Sequence, residues 1–91
     1  MKNYKECSDD EFNEAMAVLQ EVKNDNSIIK SVPTPQLYIL YTKMDGDLNT
    51  LSRANGSYAI GLRISTQQTK EMLKMEMLCR EDCPEKERKS I

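Results

Sequence analysis

Between Leu37 and Ile64 the chain sets apolar residues among polar ones at short spacing, and two dipeptides interrupt the pattern: Asp45-Gly46 and Asn55-Gly56. Each suits a two-residue hairpin loop, because type I′ turns need φ > 0 at both central positions and Asn, Asp and Gly tolerate that best. With strand-like runs on both sides of each, they predict a three-stranded antiparallel meander over residues 37–64. The turns fix the register: Leu40 faces Leu51, and Leu51 faces Ile60. Side chains alternate along a strand, so one face carries Tyr38, Leu40, Thr42, Asn49, Leu51, Arg53, Tyr58, Ile60, Leu62 and Ile64, and reads as core. The other carries Leu37, Ile39, Tyr41, Lys43, Leu48, Thr50, Ser52, Ala59, Gly61 and Arg63, apolar only along its first strand. A slip of one residue would exchange the faces.

Helical patterning flanks this region. Ser8-Asp9-Asp10-Glu11 is a capping box, and its carboxylates suit the positive end of a helix dipole. Phe12, Met16, Leu19 and Val22 follow at helical spacing, predicting a first helix over about 8–24 that Asn24-Asp25-Asn26 ends. Residues 25–36 read as a connector, extended by Pro33 and Pro35, with Ile28, Ile29 and Val32 able to form a short edge strand. A second helix is predicted over about 65–83, from the Ser65/Gln68 box to Pro84. The charged residues 84–91 read as a frayed tail. The expected fold class is therefore α+β, a single αβββα domain: N-terminal helix, meander, C-terminal helix.

Apolar residues spread over more than half the circumference of the second helix, where one sheet needs a stripe about 100° wide. Either the first helix covers the surplus, or Met75 and Leu78 belong to a subunit or partner interface.

Size and charge narrow the classes. The chain has 91 residues and a net charge of −2. Residues 1–26 hold seven Asp/Glu against three Lys, and residues 27–91 hold eight against ten Lys/Arg, so the acidity is local and no basic excess favours a polyanion. No apolar run approaches the ~18 residues of a membrane span and no signal peptide opens the chain. A soluble, cytoplasmic protein is expected.

The catalytic inventory is thin. With no His, the commonest general base is missing. Gly46, Gly56 and Gly61 form no phosphate-binding loop. Asp45 and Asp47 read as turn formers rather than a cation site. Cys7, Cys79 and Cys83 are odd in number and read as free thiols; Cys79 and Cys83, four apart, share a helix face and could make a metal site with Cys7 only if a carboxylate such as Asp82 served as the fourth ligand. Neither enzyme activity nor a cofactor or metal is expected.

The predicted order of helix, meander and helix resembles the double-stranded-RNA-binding domain. That resemblance implies nucleic-acid binding through a lysine cluster opening the second helix. Here that stretch is Thr66-Gln67-Gln68-Thr69-Lys70, with one lysine, and the first helix would present Glu11 and Glu14 to the phosphates. The passage Leu62 to Leu78 more faintly resembles a ribbon-helix-helix repressor, whose reading strand precedes its first helix.

By size and chemistry the chain is similar to small proteins that act by occupying a surface: inhibitors, adaptors and phage host-takeover proteins, including anti-CRISPR-type inhibitors. The expected mechanism is stoichiometric binding to a protein partner, with a homodimer also expected and a small ligand left open. Two surfaces are candidates. One is the second sheet face, with Leu37, Ile39, Tyr41, Lys43, Leu48 and Arg63, joined by Met75 and Leu78 of the second helix. The other is the acidic face of the first helix: Asp10, Glu14 and Glu21.

Overall fold

The predicted capping box forms. The Glu11 amide donates to Ser8 Oγ at 3.1 Å, and the Ser8 amide donates to the Glu11 carboxylate at 3.1 Å. It opens α1 (Asp9–Asn24), whose Ala15, Leu19 and Val22 are buried one turn apart. The computed structural model describes the whole chain, Met1–Ile91, and contains helices only. Asp25 ends α1 and accepts the Ser27 amide, starting a 3-10 turn over Asn26–Ser31 in place of the extended connector.

The predicted meander does not exist. Residues Thr34–Leu51 are a helix, α2, with proline in its first turn, where a missing N–H costs nothing. Leu37, Leu40, Tyr41, Met44, Leu48 and Leu51 recur at steps of three and four, the period of a helix face. Asp45-Gly46 lies inside that helix and is no turn. A Cβ on Gly46 would stand 2.5 Å from the Tyr4 hydroxyl oxygen, so the glycine makes room for the N-terminal segment to cross α2. There the Tyr4 amide donates to Thr42 Oγ1 at 3.0 Å.

Asn55-Gly56 does lie in a turn, but one between helices. Gly56 holds φ at +109°, which a side chain would resist, and caps α3 (Ser57–Leu78). This one helix absorbs the predicted third strand and most of the predicted second helix. It stops at Leu78, well before Pro84. The tail is not frayed: Glu85–Ser90 form a short helix, α4, whose Glu87 is buried and pairs with the terminal ammonium of Met1 at 3.0 Å. The α+β class, the strand register and both sheet faces are thus overturned, and the likenesses to RNA-binding and ribbon-helix-helix proteins, which rested on that order, go with them.

α2 and α3 form an antiparallel hairpin closed by residues 52–56. At its closed end Leu51 stands near Leu62; at its open end Thr34 Oγ1 donates to the Asp82 carboxylate at 2.8 Å. The core gathers at the open end. Ala15, Leu19, Val22, Ile29, Val32, Leu37, Ile39, Leu40, Tyr41, Met44, Leu73, Met77 and Cys83 make one cluster. No hydrophobic residue of α3 before Met72 belongs to it or packs on it.

Arg80 ties this end together. Its guanidinium donates to the carbonyl oxygens of Ile29 (2.9 Å) and Val32, and to Thr34 Oγ1 at 3.2 Å, with the Glu76 carboxylate 3.1 Å away. The last carbonyls of a helical turn lack partners of their own, so one side chain satisfies the 3-10 turn and fixes it against the end of α3.

Candidate interaction surface on the closed half of the hairpin

Beyond Met44 and before Met72 the hairpin has no third helix upon it. α1 and the 3-10 turn pack on the open half, and in the closed half the large apolar side chains are left half-buried or exposed, with only the small Ala59 buried. Tyr58 is 81% exposed, Ile64 58% and Ile60 50%, and Leu62 is exposed beside them.

These residues fall on two sides. Tyr58 and Leu62 are four apart and lie on one flank of α3. Leu62 and Leu51 border a shallow cleft of about 260 Å³, closed by Asp47, Thr50 and Thr66. Ile60 and Ile64 look the other way. With Leu48 of α2 they line an open groove of about 500 Å³, edged by Arg63, Gln67 and Gln68. A third, polar cleft, of about 210 Å³, lies where the N-terminal segment crosses α2, among Tyr4, Lys5, Gly46, Asn49, Thr50 and Arg53.

The carboxylates nearby are paired. Asp45 meets Lys70 Nζ at 2.9 Å across the hairpin, and Asp47 meets Lys43 Nζ at 2.7 Å along α2. The hydrogen bond to Asp45 raises the Lys70 ammonium above its ordinary range, so the charge is held. No three Cys, Asp or Glu side chains stand close enough to hold a metal ion. Cys79 is exposed, Cys83 is buried, and Cys7 donates to the Tyr4 carbonyl oxygen.

The residues expected to form a docking surface are scattered. Leu37, Ile39 and Tyr41 are buried and belong to the core; a helix turns them inward where a strand would have presented them outward. Lys70 Nζ lies 5.5 Å from the Tyr41 ring centroid, and burial lifts the Tyr41 phenol above its ordinary value. Lys43 is half-buried in its ion pair. Leu48 and Arg63 line the larger groove. Met75 and Leu78 are exposed on the far half of α3. Asp10, Glu14 and Glu21 are exposed along α1, none of them in an ion pair.

Tyr58, Ile60, Leu62 and Ile64 were assigned to a sheet interior and prove to be exposed, Tyr58 being the most open large apolar side chain of the hairpin. Their signal in the sequence is a mixture: at 100° per residue, apolar side chains at 58, 60, 62 and 64 cannot share one face of a helix. No protein family, curated protein or solved structure matches this chain.

Proposed function

We propose that this chain is a non-enzymatic binding protein that acts stoichiometrically on a protein partner through the flank of its helical hairpin around Tyr58. The observation that carries this reading is the exposure of Tyr58 (81%) one helical turn from Leu62, which with Leu51 borders the shallow cleft. A tyrosine held in water adds nothing to the packing of the monomer. Tyrosine is over-represented among the few residues that dominate interface energies, and so is arginine; Arg53 is exposed near the same closing loop. The α2–α3 frame is rigid where it enters the core and projects these groups on regular helix, which limits the ordering cost of binding.

The partner's complementary surface is an apolar pocket for the Tyr58 ring, rimmed by polar groups that meet Asp47, Thr50 and Thr66. The test is recovery of a partner from the native cell with four baits: the wild-type chain, Tyr58→Asp, Leu62→Asp, and a chain with Asp10, Glu14 and Glu21 all changed to Ala. The reading expects the same protein with the first and last baits, and its loss with the two hairpin variants while their helicity stays at the wild-type level. A partner kept by the hairpin variants and lost with the acidic-face variant would place binding on α1 and contradict the reading.

A further inference from the structure

The groove on the opposite side of the hairpin has its own logic, independent of the Tyr58 flank. On α3 the exposed apolar residues Ile60, Ile64, Met75 and Leu78 fall on one stripe, with Gln67 and Glu71 between them. At 100° per residue this stripe lies roughly 140° around the helix from buried Ala59, Leu73 and Met77. It runs about 27 Å at 1.5 Å per residue, and no element of the chain covers it.

The stripe is nearly palindromic. A two-fold axis passing beside Thr69 sets Ile60 against Leu78 of a second copy and Ile64 against Met75, while Gln67 and Gln68 stand across from Glu71. We infer that two copies of this chain pair through α3, antiparallel, each inserting Met75 and Leu78 into the Leu48–Ile60–Ile64 groove of the other.

Three observations favour a second copy over another occupant. The groove and the side chains that fill it are on the same face, as a two-fold interface requires. The groove, about 500 Å³, has room for a leucine and a methionine side chain. The charges agree with antiparallel pairing: a parallel in-register pair would oppose Glu71 to Glu71, whereas the antiparallel pair meets amides there. Its cost is an Arg63–Lys74 approach at the solvent edge, where salt screens it. A pair that meets only along this stripe belongs at the low end of specific interfaces, about 1,200 Å² in total, so a weak, concentration-dependent dimer is expected. The Tyr58 flanks remain open in it, one toward each end, so the dimer is a bivalent binder.

Sedimentation equilibrium from low to high micromolar concentration tests this. The wild type is expected to pass from monomer to dimer. Ile64→Lys and Met75→Glu, each in an exposed position and each keeping wild-type helicity, are expected to weaken self-association about a hundredfold or more, since each puts a charge into an apolar contact. Mixed in equal amounts, the two variants are expected to form a heterodimer, because residue 64 of one copy faces residue 75 of the other. A wild-type chain that stays monomeric throughout would overturn the inference. So would variants that dimerise like the wild type, or folded variants that fail to pair when mixed. A monomer that still binds its partner through Tyr58 would leave the proposed function standing, so the two claims fail separately.

Discussion

The two halves of the α2–α3 hairpin have similar lengths and opposite fates. In the open half, Leu37, Leu40, Leu73 and Met77 are sealed under α1 and the 3-10 turn. In the closed half, Leu48 and Leu51 are half-buried, and Tyr58, Ile60, Leu62 and Ile64 are exposed. Composition does not separate them, since both are rich in large apolar residues. What differs is whether other parts of the chain reach them: α1 is sixteen residues long, and the chain has no further helix for the closed half. Apolar surface left open by its own chain is surface available to another.

The sharpest way to break the comparison is to place the same charge in each half. Leu40 is fully buried, and Leu40→Asp is expected to unfold the protein, because an unpaired carboxylate in that environment costs several kcal/mol. Ile64→Asp is expected to change the stability of the monomer by no more than about 0.5 kcal/mol in urea denaturation.

Arg80 sets the next scale. Arg80→Ala strips donors from the Ile29 and Val32 carbonyls and leaves Glu76 without its cation; a loss of about 3 kcal/mol is expected in the same measurement. Arg80→Lys is expected to recover only a small part, since an ammonium cannot reproduce the forked geometry.

Two glycines sharpen the comparison further, as both lie inside helices. Gly61 has open space where a Cβ would be, so Gly61→Ala is expected to stabilise by about 0.5–1 kcal/mol, the ordinary helix preference. At Gly46 the same methyl meets the Tyr4 ring, so Gly46→Ala is expected to gain nothing until Tyr4→Ala is added, a coupling that a double-mutant cycle reads directly.

Smallest are the pH effects, all at the edges of the packed half and along the N-terminal side. The ammonium of Met1 and the Tyr38 hydroxyl hold the Glu87 carboxyl below its ordinary value. A lowered carboxyl contributes stability above the unfolded value and loses it as pH falls through the folded one. Glu11, held down by its bonds to Ser8, and Asp25, held down by Ser27, add to the same acid limb. Tyr38 runs the other way: burial, then the Glu87 carboxylate, push it up to about 12, so its contribution is present below pH 10 and fades between 10 and about 12. Melting curves across pH should show both limbs, and Glu87→Gln should flatten part of each.

How much of this was legible in the sequence varies by element, for physical reasons. The start of α1 was legible because a capping box is local: four residues specify it. The 37–51 segment was ambiguous because Leu37 to Tyr41 is an unbroken apolar run, which fits either period. Asp45-Gly46 then favoured a turn, and nothing nearby in sequence showed that Gly46 serves Tyr4, forty-two residues away. Pro33 and Pro35, read as holding an extended connector, instead open a helix. At the candidate site the difficulty is of the same kind. Tyr58, Ile60, Leu62 and Ile64 alternate as strand residues do, and placing them on a helix sends them to different sides. Arg80 left as a local trace only its i, i+4 pairing with Glu76, since its other partners lie some fifty residues earlier.

The central claim is that the hairpin is packed at one end and open at the other. Amide hydrogen exchange along α3, followed residue by residue in dilute monomer, tests it most directly. Protection near the global unfolding limit around Leu73 and Met77, falling markedly from Gln68 back to Ser57, is the expected result. Equal protection from Ser57 to Leu78 would contradict the account.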